Sequence, residues 1–224
     1  MDRAAGTMSW ERLSADPAML YRLRPPDDLL AEALDLAAER HERPPSLEMA
    51  RLLEVLAGEP SVTRVLEVGR IDGVATLCLA RGAPEAGIVS VGTAESDRAA
   101  LEELFGRAGV GDRVRLLSGE PLAAVESLDG RFDRIHLSVG LSGAIRLIDR
   151  VLQLLAVGGL LSVEGVAVDD AADGEEEGRA AAARSVAGYL VMHPQLDTLV
   201  VPVGDGLAVA RKRRPLVTEL GGPY

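Results

Sequence analysis

The sequence predicts a doubly wound α/β domain, a mostly parallel sheet that closes on an antiparallel C-terminal hairpin. Short apolar runs alternate with helical stretches from residue 63 to residue 164. The connections between them are short, as right-handed crossovers between parallel strands require. Near the C-terminus two further apolar runs, 196–203 and 207–210, are joined through Gly204-Asp205-Gly206, a hairpin signal. Composition agrees: 47% of residues are hydrophobic but only 3% are aromatic. The core must therefore be aliphatic, which suits parallel strands buried between helices. At 224 residues the chain fits one domain, since single cores grow to roughly 250 residues before splitting. Within it we expect a helical N-terminal cap (1–57), an α/β core (58–212) and a tail (213–224).

Residues 1–25 are polar and mixed and end at Pro25-Pro26, where a helix cannot continue. Asp27 or Asp28 then caps a helix over 29–40, with Leu29, Leu30, Ala33, Leu34 and Ala37 as its apolar stripe. Pro44-Pro45 breaks the chain again. Ser46 starts a second helix carrying Leu47, Met49, Leu52, Leu53 and Leu56, and Gly58 and Pro60 end it. Strands are expected at 63–68, 87–91, 112–117, 131–138 and 158–164, with helices near 73–82, 95–107, 120–128 and 142–156. The acidic stretch 169–178 reads as an exposed loop leading into a helix over 179–192.

The net charge of −11 argues against nucleic acid as the main partner, because a phosphate backbone attracts a basic face. The one basic run, RKRR at 211–214, follows the last apolar segment and reads as a solvated chain end. Cys78 is the single cysteine, which excludes an internal disulfide and a cysteine-based metal site. It lies in an apolar run and is expected to be a buried, reduced thiol. No apolar stretch approaches the roughly 20 residues that span a bilayer, and the N-terminus lacks the features of a signal peptide. A cytoplasmic protein with no membrane partner is expected.

The segment richest in chemistry is VLEVGRIDG, residues 65–73. An apolar strand runs into Gly69, and Gly73 opens the next helix. Glycine there permits a tight turn and the close approach of a ligand at a helix N-terminus. Alone, such a turn also serves any strand-to-helix connection; its context favours a cofactor site.

Set beside the rest of the chain, these residues resemble the caffeoyl-CoA and catechol O-methyltransferase-like family of S-adenosylmethionine-dependent enzymes. SLEMARLL (46–53), VLEVG with Gly73, LFGRAGVGDRVRLLSGEPL (104–122), FDRIHLS (132–138) and LLAVGGLLSVEGV (154–166) match its successive segments. HPQLDTLVVPVGDGLAVARK (193–212) matches its closing hairpin, the most distinctive of these matches. The resemblance implies a Rossmann-like methyltransferase sheet, S-adenosylmethionine as cofactor, a small hydroxylated molecule as acceptor, and a homodimer as an assembly that fits the family.

It also assigns candidate residues. Glu67 matches the acidic position near the cofactor, and Gly69, Arg70 and Gly73 belong to the first cofactor motif; Glu120 lies in the third-strand match. Gly92 stands where the family carries a strand-two carboxylate for the ribose hydroxyls. Glu95 can replace that carboxylate only if the loop bends back; its other role is an acidic first-turn residue. Arg70 and Ile71 replace small or hydroxyl residues, and Ala75 replaces a serine. Arg70 can pair with the cofactor carboxylate or fill the pocket. The family's divalent-cation positions fall on Ser138, Glu164 and Gly165, a poor set for an ion that needs hard oxygen ligands, so no catalytic metal is expected.

Strand periodicity puts His136 and Ser138 on one face, and the neighbouring strand ends at Glu164. A histidine held by a carboxylate can serve as general base for a hydroxyl proton; a histidine packed under a helix is the competing role. The sequence leads to a metal-independent O-methyltransferase acting through His136, Ser138 and Glu164, its N-terminal helices covering the pocket and setting acceptor choice. A catalytically degenerate binding or dimerising module stands as the alternative, and a pocket for some other nucleotide-like ligand as a third.

Overall fold

Apolar periodicity and capping residues set the first two helices. The computed structural model describes residues 24–40, 45–95, 97–167 and 174–213, and begins with α1 (Asp28–Arg40) and α2 (Leu47–Ala57). Asp27 is the residue that caps α1, accepting from the Leu30 amide at 3.1 Å. Ser46 caps α2 by accepting from the Met49 amide at 3.2 Å. Removing either cap costs typically about 1 kcal/mol. Residues 1–23 and His41 lie outside the described residues.

The core then alternates: β1 (Arg64–Gly69), α3 (Val74–Gly82), β2 (Gly87–Thr93), α4 (Arg98–Arg107), β3 (Val114–Ser118), α5 (Pro121–Glu126), β4 (Phe132–Ser138), α6 (Ile145–Leu154), β5 (Leu155–Glu164), α7 (Gly174–Met192), β6 (Leu196–Val201) and β7 (Leu207–Lys212). The seven strands form one sheet in the order β3-β2-β1-β4-β5-β7-β6. The first five are parallel, and β7 runs antiparallel to both β5 and β6. The expected mixed sheet with a closing hairpin is therefore the observed one.

Side-chain alternation divides the core into two layers. Val65, Ile88, Leu116 and Leu207 pack with α1 to α4 on one face. Leu66, Val68, Ile135, Leu137, Leu161 and Val163 pack with α6 and α7 on the other. Among the described residues the fully buried core is aliphatic apart from Phe105 and Phe132, and Tyr189 packs against it partly buried. Cys78 is a buried free thiol, and burial pushes its pKa up to about 12, which keeps it protonated and unreactive.

Three boundaries differ from expectation. β5 begins at Leu155, directly after α6, with a register shift opposite Phe132 and Arg134; the irregularity absorbs residues that read as a loop. α7 begins at Gly174, so the end of the acidic stretch is helix, with Glu177 in the first turn, where the helix dipole favours acidic residues. The basic run is not a solvated end: Arg211 and Lys212 belong to β7. The Lys212 ammonium donates to the carbonyls of Leu152 (2.6 Å) and Leu155 (2.9 Å), closing the C-terminus of α6. Among the described residues no helix is long and apolar enough to cross a membrane.

Candidate active site

Strand register brings the candidate residues together. Facing residues of parallel neighbours point to the same side. Ser90, Glu67, His136 and Ser162 therefore form a polar row across β2, β1, β4 and β5. The row lies on the face covered by α2 and α3. Nearer the C-terminal edge, Gly69 faces Ser138 and Glu164 ends β5.

Glu67 anchors the row. Its Oε2 accepts from Thr76 Oγ1 on α3 (2.5 Å) and Ser90 Oγ on β2 (2.7 Å). Among the described residues nothing hydrogen-bonds its buried Oε1. Burial raises its pKa in spite of the two hydroxyl donors.

His136 links the row to the edge. Its Nδ1 lies 2.9 Å from Ser162 Oγ, and its Nε2 lies 3.1 Å from Glu164 Oε1. That second approach is close but oblique, outside the geometry of a linear hydrogen bond. The ring is 1% exposed and the Glu164 side chain 14%, so the carboxylate is the member of the pair that reaches the crevice. Burial alone would depress the imidazole pKa; Glu164 first, then Glu67 and Asp72, outweigh it and hold it above its ordinary value. Burial likewise opposes ionisation of Glu164, but His136, then Arg70 and the Ser138 hydroxyl, hold its pKa below the usual range. A cavity of about 10 Å³ lies on the α2 side of His136, lined by Leu53, Leu56 and Ser162 among others. That is room for about one water, too little for a substrate, whereas Glu164 lies at the end of β5.

At the strand ends the backbones of three strands touch. Gly69 has φ +128°, and a Cβ there would lie 2.1 Å from the Ser138 carbonyl oxygen. Gly92 has φ +112°, and its Cβ would lie 2.2 Å from the Gly69 carbonyl oxygen. Glycine at 92 is thus a packing requirement of β1 against β2, and no side chain can hold a carboxylate there. Glu95 does not bend back; its carboxylate accepts from Ser118 Oγ at 2.9 Å and pairs with Arg98. Glu120 caps α5 through the Ala123 amide at 3.1 Å. Both stand on the β3 side, apart from the cluster of Glu67, His136, Ser138 and Glu164.

Sequence reasoning missed four members of the site. Thr76, Ser90 and Ser162 are hydroxyls in apolar runs, and strand register was the signal that could have joined them to Glu67 and His136. The fourth, Asp72, is buried and accepts from the Val74 amide at 3.0 Å. Burial first, then the charges of Glu67 and Glu164, push its pKa up to about 7.

A family model described as O-methyltransferase matches residues 34–213. The chain belongs to the O-methyltransferase family. A catechol O-methyltransferase of Mycobacterium tuberculosis is 32% identical over 197 residues, covering 84% of this chain and 90% of the relative. The crystal structure of cofactor-bound Rv0187 from MTB shares 28% identity with a TM-score of 0.75, covering 89% of this chain and 99% of that one. An SAH-bound methyltransferase of Podospora anserina, PaMTH1, has a TM-score of 0.76 at 24% identity, covering 93% and 97%, a likeness of fold alone. The sheet is thus the Rossmann-like methyltransferase sheet, and the chain is an S-adenosylmethionine-dependent methyltransferase by family. None of these comparisons supports a degenerate binding module.

The O-methyltransferase sheet also frames the metal question. Ser138, Glu164 and Gly165 stand at the positions that the resemblance assigns to a divalent cation. They offer one hydroxyl, one carboxylate already engaged by His136 and Ser138, and no side chain at all. Among the described residues no group of three or more His, Cys, Asp or Glu is placed to hold a metal ion. This donor set does not fit Mg²⁺, which demands near-octahedral oxygen coordination.

Proposed function

We propose that this O-methyltransferase methylates a hydroxyl of a small acceptor without a divalent cation, with Glu164 taking the hydroxyl proton and His136 acting behind it. The observation that carries this reading is the His136–Glu164 pair, 3.1 Å apart, with only the carboxylate reaching the crevice. S-adenosylmethionine, when bound, supplies an electrophilic methyl group on a sulfonium.

The turn from Gly69 to Gly73 supports such a ligand. It ends at the N-terminus of α3 and exposes Arg70 while burying Ile71 and Asp72. Glu67 lies behind it. At position 92 the ribose side meets backbone in place of a strand-two carboxylate, so the adenosine end would be held less tightly there.

The chemistry asks little else of the protein. Methyl transfer needs the acceptor oxygen in line with the methyl group, and alignment in a water-poor crevice supplies much of the rate. With the methyl donor held at residues 69–73, the acceptor oxygen would take the methyl group and the electron pair would remain with the donor's sulfur. The hydroxyl proton passes to Glu164, whose charge the neutral imidazole of His136 backs by taking up the proton in turn. His136 is thereby a positioning residue, and Glu164 the catalytic one. Ser138 fixes the carboxylate's orientation through its hydroxyl.

Since the Mycobacterium tuberculosis relative is named for catechol, catechols are the first acceptors to test. With methyl-labelled S-adenosylmethionine, the purified chain should methylate a catechol at the same rate with and without EDTA. Loss of turnover in EDTA, restored by Mg²⁺, would reject the metal-free reading while leaving the family assignment intact.

A further inference from the structure

The first cofactor motif carries a cation that the steps above leave unused. Arg70 follows Gly69 directly, and its amide donates to the Ser138 carbonyl at 3.0 Å. Residue 70 is therefore held against the end of β4, beside the proposed acceptor position. Its side chain is exposed, whereas Ile71, Asp72 and Gly73 after it are buried. The guanidinium charge favours ionisation of both Glu164 and Asp72. Among the described residues it enters no side-chain hydrogen bond or ion pair.

We propose that the Arg70 guanidinium binds and orients the acceptor's oxygens where Ser138, Glu164 and Gly165 offer too few donors for a divalent cation. Three physical points carry this. The guanidinium is permanently charged, so it favours an ionised hydroxyl over a neutral one. Its planar fork can donate to two neighbouring oxygens at once, as a cation would chelate them. Its charge acts on Glu164, so a proton acceptor and an oxyanion partner would serve the same acceptor position. The proposal rests on the methyltransferase reading above and adds to it the residue that replaces the metal.

The test uses the full chain loaded with S-adenosylhomocysteine and titrated with 4-nitrocatechol, whose visible absorbance reports its ionisation. In the wild type the bound probe should ionise at lower pH than the free probe. Arg70→Gln should weaken probe binding by about 10- to 100-fold, the range of one charge-assisted hydrogen bond. It should also return the bound probe's ionisation toward that of the free probe. Arg70→Lys should restore part of the affinity, as a point charge without the fork. Melting temperature should stay as in the wild type, since the side chain is exposed, and S-adenosylhomocysteine affinity should fall less than probe affinity.

Unchanged probe affinity and ionisation in Arg70→Gln would overturn the proposal, as would a wild type that binds S-adenosylhomocysteine but not the probe. A matching loss of S-adenosylhomocysteine affinity would assign Arg70 to the cofactor carboxylate instead. A wild type that binds no S-adenosylhomocysteine would overturn the methyltransferase reading itself, and this proposal with it.

Discussion

His136 Nε2 lies 3.1 Å from Glu164 Oε1, a buried imidazole behind a carboxylate that reaches the crevice. Its pKa is held above the ordinary value of about 6.5, and the ring must be neutral to receive a proton. Turnover should therefore rise with pH through a midpoint above 6.5. Glu164→Gln removes the largest influence raising that pKa and leaves burial to lower it. The residual turnover should then have its midpoint at lower pH. An unshifted midpoint in this variant would separate the pair from the chemistry.

The same pair sets a stability window. A raised histidine pKa contributes stability that is full below about pH 6.5 and lost as pH rises through the folded value. The lowered carboxylate pKa contributes stability present above about pH 4.5 and lost as pH falls. His136→Gln should thus destabilise most between these limits, by about 1–3 kcal/mol. Urea unfolding at pH 5.5 and pH 8.5 checks this; an equal loss at both would contradict it.

Asp72 predicts an effect of opposite sign. Its pKa is pushed up to about 7 by burial and then by the charges of Glu67 and Glu164. Folding therefore favours the protonated form, and stability is lost as pH rises from about 4 toward 7. Asp72→Asn keeps a side-chain oxygen for the Val74 amide and removes the charge. It should be near neutral at pH 4 and stabilising by about 1–3 kcal/mol at pH 8. Measured melting temperatures lower than wild type at pH 8 would refute this.

Restoring a strand-two carboxylate should fail. Gly92→Asp places a Cβ 2.2 Å from the Gly69 carbonyl oxygen at φ +112°. The expected cost is about 2 kcal/mol or more, with no gain in S-adenosylhomocysteine affinity. A stable variant with tighter binding would show that β1 and β2 can move apart at this point.

Lys212→Met should cost about 1–2 kcal/mol, because two carbonyls at the end of α6 lose a charged donor. Lys212→Arg should recover part of it in thermal unfolding. No loss in the methionine variant would mean that water replaces the ammonium.

Much of the fold was legible because local signals agreed with it. Ser46, Gly58 and the alternation of FDRIHLS each point to the element that forms. The boundaries that slipped depend on long-range contacts: Lys212 seeks carbonyls of α6 sixty residues earlier, and β5 starts early through its pairing with β4. In the site, strand periodicity set His136 and Ser138 on one face, and the resemblance supplied the neighbouring strand that ends at Glu164. Thr76, Ser90 and Ser162 were not legible, since their part depends on which strands are neighbours, and sheet order is a property of the whole chain. Asp72 was hidden because its burial follows from how the turn folds over β1, not from its place in the motif.

On the reading proposed here, this O-methyltransferase binds its cofactor and works without a metal ion. The decisive measurement is calorimetric titration with S-adenosylhomocysteine in the presence of EDTA. Saturable binding of one equivalent per chain, unchanged by the chelator, is the expected result. No detectable heat at millimolar ligand, or binding that appears only when Mg²⁺ is added, would contradict it.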